Sequence, residues 1–108
     1  MALKKANNSS PTTLDATIAG LNDNYSFLGR SLHVQTERIG QPAPHIATQV
    51  FLKGRVIASK TSVIPENLLS PNELGKVQEL MKKQHFQMIL ELSEKQKKQS
   101  QASSLLAK

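Results

Sequence analysis

His33, Gln35 and Glu37 stand at every second position, and His45 follows after an interval rich in proline and glycine. Imidazole and carboxylate are the groups of metal coordination and of general acid–base work. Spacing argues against one ion shared by the first pair, because on a strand His33 and Glu37 lie about 13 Å apart at roughly 3.3 Å per residue. Bringing His45 to His33 across the loop would supply two ligands at most, so neither a metal nor a cofactor is expected. For acid–base chemistry, His33 with Glu37, Gln35 or Gln49 could begin a pocket. No nucleophile stands beside them, since Ser31, Ser59 and Ser62 fall in ordinary strand sequence. Gly40 and Gly54 are isolated, and no glycine-rich phosphate loop occurs. An enzyme is not expected, and an acid–base pair of His33 and Glu37 is the residual alternative.

The other candidate chemistry is charge. Fourteen lysines and arginines face eight acids over 108 residues, a net charge of +6. A polyanionic partner would fit such a balance. Lys53 and Arg55 flank a turn, Lys60 follows on the next strand, and Lys95, Lys97 and Lys98 lie near the end of the chain. Half of the excess belongs to residues 94–108, where a solvated basic tail is the plain explanation. Phe51 offers one stacking surface beside these cations, where sheet-based RNA readers commonly use two or three. With no cysteine, there is no disulfide framework, thiolate or cysteine-bound metal. No apolar run reaches the roughly 20 residues of a membrane span. The pair Lys4-Lys5 is followed by polar residues rather than a signal-peptide core, so a cytoplasmic location is expected.

These residues must be held by a small scaffold. Residues 1–24 read as a flexible polar leader, in which Asn22, Asp23 and Asn24 would end any short helix. Residues 31–38 alternate with period two and predict a strand. Two more are expected over 45–52 and 55–64, joined by a tight turn at Lys53-Gly54. A two-residue turn sets Leu52 against Arg55, Val50 against Ile57 and Thr48 against Ser59. One face would then carry Leu32, Val34, Ile46, Thr48, Val50, Leu52, Ile57 and Val63 as the core. The other would carry His33, Gln35, Glu37, Ala47, Gln49, Phe51, Val56, Ala58 and Lys60.

Ser70-Pro71-Asn72-Glu73 has the cap, the N1 proline and the capping-box acid of a helix start. A helix is expected over 71–94, with Leu74, Val77, Met81, Met88 and Leu92 in a stripe interrupted by Gln84 and His85. Phe86, Ile89 and Leu90 widen the apolar surface beyond what one small sheet covers. Val77, Met81, Phe86, Met88, Ile89 and Leu90 are therefore the expected homodimer interface. A foreign helix is the other occupant such a methionine-rich surface could take.

His33-Val34-Gln35-Thr36-Glu37, then His45-Ile46-x-Thr48-x-x-Phe51-x-x-Gly54-x-Val56-Ile57-Ala58-Ser59-Lys60, resembles a family of small bacterial domains that open with His-Val-Gln-Thr-Glu. Their helix carries a Met/Gln-His element, here Met81 to His85. The likeness spans about residues 25–92. It implies a bacterial origin and no particular activity. A task common to its polar residues would fall on His33, Gln35, Glu37, Gln49 and Lys60.

The expected protein is α+β, a three-stranded antiparallel meander followed by one long C-terminal helix and completed by dimerisation. Residues 25–94 form the domain and 95–108 a basic flexible tail. Its expected role is a homodimeric binding or adaptor module with an unidentified protein partner and no membrane. A nucleic-acid-binding accessory protein is the alternative.

Overall fold

A computed structural model describes residues 19–106. Four strands, β1 (Leu21–Phe27), β2 (Arg30–Ile39), β3 (His45–Leu52) and β4 (Arg55–Val63), form one antiparallel sheet in the order of the sequence. Short 3-10 turns at Glu66–Leu68 and Pro71–Glu73 lead into helix α1 (Leu74–Leu106). The class is α+β as expected, with four strands in place of three. The added strand is β1, and Leu21 to Asn24 belong to it rather than to a leader. Residues 1–18 of that leader lie outside the described residues.

Asn22-Asp23-Asn24 hides β1 because these residue types are depleted in strands. Pairing overrides propensity here. Tyr25, Phe27 and Leu21 lie on the covered side of the sheet, opposite Leu32, Arg30 and Thr36 of β2. The joining turn, Leu28-Gly29, has φ of +49° and +83°, and Lys53-Gly54 has +52° and +81°. Both are tight turns with two left-handed residues, which match the twist of a hairpin. A side chain at Gly54 would stand in that strained conformation. Gly54→Ala is expected to destabilise the fold by about 1–2 kcal/mol, readable as a lower urea midpoint with unchanged slope.

Next to the Lys53-Gly54 turn the expected pairing holds, Leu52 with Arg55 and Phe51 with Val56. A β-bulge then intervenes. Val50 pairs with Ala58, Gln49 with Ser59 and Thr48 with Lys60, leaving Ile57 as the extra residue. One inserted residue turns every later side chain of β4 to the other face. Ile57 and Val63 are therefore exposed, at 52% and 74%, and not in the core. Ala58, Lys60, Ser62 and Ile64 take the helix side instead, with Ile64 buried.

The helix crosses that side. Ser70 Oγ accepts a hydrogen bond from the Asn72 amide at 3.2 Å, and Pro71 occupies the first position, as the capping signals predict. Val77, Met81, Met88 and Leu92 are buried against the sheet. They build two apolar clusters. One holds Ile46, Ile64, Val77 and Met81; the other holds Leu32, Val34, Val50, Met88 and Leu92. Val77, Met81 and Met88 are thus interior to a single copy and cannot join two copies. Ile89 is half-buried against the second cluster, whereas Phe86 and Leu90 point outward at 60% and 42% exposure.

α1 does not end near residue 94 but runs to Leu106. Lys95, Gln96, Lys97 and Gln99 are good helix formers, and the Gln96 side chain ties the extension to the sheet. Its Oε1 accepts from the Leu28 amide at 2.6 Å, and its Nε2 lies 3.5 Å from the Tyr25 hydroxyl. A helix of 33 residues outruns strands of at most ten.

Candidate functional site

The helix covers one face of the sheet and leaves the other open. Across the four strands the open face reads Asn24, His33, Phe51, Val56 in one row and Asn22, Gln35, Gln49, Ser59 in the next. A third row continues with Glu37, Ala47 and Thr61. Each ring nitrogen of His33 meets an asparagine amide oxygen, Nε2 at 3.0 Å from Asn22 and Nδ1 at 3.3 Å from Asn24. The Phe51 ring lies 6.2 Å from the His33 ring, tilted by 44°. Gln35 donates to the Glu37 carboxylate. The result is a flat surface of amides and hydroxyls with one aromatic beside one imidazole.

His33, Gln35, Glu37, Gln49 and Phe51 therefore share a face, as the alternation predicts. Lys60 does not. The bulge carries it to the helix side, where its ammonium donates to Glu91 at 2.9 Å. That bond, followed by one from Gln87, holds the Glu91 carboxyl below its ordinary value. A carboxylate lowered in this way adds stability above its unfolded pKa and loses it as pH falls through the folded value. Lys60→Met is expected to move the Glu91 titration back toward the ordinary carboxylate range, as read by carbon-detected NMR.

Asn22 and Asn24 join the candidate site through β1, a strand that the sequence pattern of residues 21–24 does not show. A signal existed. Phe27-Leu28-Gly29-Arg30 repeats the turn pattern of Leu52-Lys53-Gly54-Arg55, with apolar Tyr25 and Phe27 alternating before it.

Between the two apolar clusters lies a polar layer. The His85 ring bridges Asp23 Oδ2 at 2.8 Å and Thr36 Oγ1 at 2.7 Å, and Thr36 continues to Thr48 Oγ1 at 2.7 Å. Gln84 Nε2 reaches Thr48 Oγ1, Ile46 O and Lys60 O at 3.1–3.2 Å, and Gln84 Oε1 accepts from Ser62. An acid–imidazole–hydroxyl chain is the outline of a nucleophile and its base. Here the hydroxyl is Thr36, wholly covered, so no substrate reaches it. The set joins helix to sheet.

The cations gather at one end. In a meander the first and third turns lie together, which brings Arg30 beside Lys53 and Arg55. Lys95 sits over the same end, as the shared cleft with Arg30 shows, and Lys97 and Lys98 are exposed farther along the helix. None of these six makes an ion pair among the described residues. His45 belongs to the opposite end, where its Nδ1 lies 2.6 Å from the Ala43 carbonyl. Among the described residues no three of His, Asp and Glu come together as a metal site. No described helix is long and apolar enough to cross a membrane. No family model, curated protein or solved structure matches the chain.

Proposed function

We propose that the protein is a small cytoplasmic binding module, paired with a second copy, that offers the open face of its sheet to a protein partner. The observation behind this reading is that the helix fills one side of the sheet while the other presents His33, Gln35, Gln49, Phe51, Asn22 and Asn24. An amide-rich surface of this kind recognises by hydrogen bonding around one aromatic anchor.

Pairing rests on the outer side of α1. Glu79, Lys83, Phe86, Leu90, Ser93 and Lys97 follow one another at alternating steps of four and three, the spacing of a helix–helix seam. Laid antiparallel on a second copy, Phe86 meets Leu90 twice, Lys83 faces Ser93 and Glu79 faces Lys97. Among the described residues Glu79 otherwise pairs with exposed Lys82 at 3.8 Å. The seam is short, so the association is concentration-dependent. Light scattering is expected to give twice 11.9 kDa for the native chain and 11.9 kDa for Phe86→Glu combined with Leu90→Glu. A native chain that stays at the single mass up to its solubility limit overturns the pairing.

Single-stranded nucleic acid is the second reading, favoured by Lys53 in the turn that follows Phe51, with Arg30 and Arg55 at the same end of the sheet on its helix side. Bases would stack on the two rings while the turn cations meet phosphates. Anisotropy of a labelled single-stranded oligonucleotide is then expected to show affinity falling steeply with salt. Replacing both Lys53 and Arg55 by glutamine is expected to flatten the slope by about 0.7 per lost phosphate contact. Absence of binding at low salt removes this reading.

A further inference from the structure

The geometry points to a binding site for a single-chain fatty carboxylate in the cleft between the C-terminal half of α1 and the turn end of the sheet. The cleft measures about 510 Å³, within the range of small-molecule sites. Leu32, Leu52, Ala58 and Leu92 form its floor, and Arg30 and Lys95 stand on its lining. An apolar floor, with two cations on the lining that form no salt bridge among the described residues, matches a ligand that is hydrocarbon at one end and anionic at the other. Arginine adds a planar fork suited to a carboxylate.

Two features at the rim lack a purpose in the protein alone. Leu28 is an exposed leucine held at φ +49° in a turn where asparagine or glycine would sit at lower cost. Ile57 is the bulge residue, turned out of the core and half exposed. Both line the cleft, and a hydrocarbon chain lying in it would cover them. The Gln96 bond to the Leu28 amide fixes one wall, so the cavity is pre-formed rather than opened by the ligand. A bare phosphate would leave the floor wet. Leu32 and Leu92 are buried below the exposed rim of Leu28 and Ile57, a depth that a single chain can enter and a flat lipid surface cannot.

The test is calorimetry with dodecanoate below its micelle concentration, on the full chain. One site per chain is expected. Dodecanol, and the Arg30→Gln/Lys95→Gln variant with dodecanoate, should each bind at least about tenfold more weakly. Ala58→Leu fills the floor and should abolish binding. Should that variant fail to fold, amide shifts at Leu28, Ala58 and Leu92 on adding dodecanoate locate the site in the native protein. Equal binding of dodecanol, shifts confined to other residues, or no binding overturns the proposal. So does binding to phosphatidylglycerol vesicles without binding of monomeric dodecanoate, which would assign the cations to a lipid surface.

Discussion

Gln84→Leu is expected to cost about 2–4 kcal/mol of unfolding free energy, although it places an apolar residue of similar size in an apolar stripe. The Gln84 amide is surrounded by the carbonyls of Ile46 and Lys60 and the hydroxyls of Thr48 and Ser62. Leucine would strip the Gln84 bond from the Ile46 and Lys60 carbonyls and from Ser62, while Thr48 keeps Thr36. An unsatisfied buried polar group costs roughly 1–3 kcal/mol. Water entering from the β4 side recovers part of that, because Ser62 is exposed. Urea unfolding of the variant measures the loss. A stability equal to or above the native value would mean that the hydrophobic gain outweighs the network. The double variant with Thr48→Val removes two partners together and should lose less than the sum of the single changes.

Met81→Ala is expected to cost about 2–5 kcal/mol, the range for deleting a fully buried long side chain and leaving a cavity. Met81 is 1% exposed and packs with Ile46, Ile64 and Val77. The form of the effect matters as much as its size. Met81 belongs to one copy's interior, so its loss lowers the urea midpoint equally at every protein concentration. Phe86→Glu, on the outer helix side, should shift the midpoint only where the native chain is paired. A gap between Met81→Ala and the native chain that closes on raising the concentration would return the residue to an interface.

Much of the scaffold is legible in the sequence where a local signal has a single solution. Lys53-Gly54 reads as a tight turn, Ser70-Pro71 as a helix start, and Val77, Met81, Met88 and Leu92 as one stripe. β1 is illegible by propensity because Asn22, Asp23 and Asn24 are poor strand formers whose role comes from the neighbours they face. The bulge at Ile57 is harder still. Residues 56–64 hold apolar side chains in both alternations, Ile57 with Val63 and Ala58 with Ile64. Only the helix decides between them, since the shifted register buries Ile64 and lets Gln84 reach Lys60 O and Ser62. The same blindness explains Gln84 and His85. Taken alone they interrupt a stripe; set against Thr36 and Thr48, buried on facing strands, they complete a layer.

For the candidate site, the alternation of His33, Gln35 and Glu37 and the opposition of Gln49 and Phe51 follow from period two and a meander. The place of Lys60 depends on the bulge, and the places of Asn22 and Asn24 on β1. The excess of apolar helix surface expected from the sequence shrinks to Phe86 and Leu90, because a fourth strand supplies more cover than three.

The order of the strands bears on how the molecule assembles. Every strand lies beside its neighbour in the chain, so each hairpin can zip locally and quickly. The helix makes the distant contacts, Asp23 to His85 and Leu28 to Gln96, 62 and 68 residues apart. A nascent chain therefore finishes its sheet before it has a cover, and one oily side stays open to water until the residues of α1 leave the ribosome.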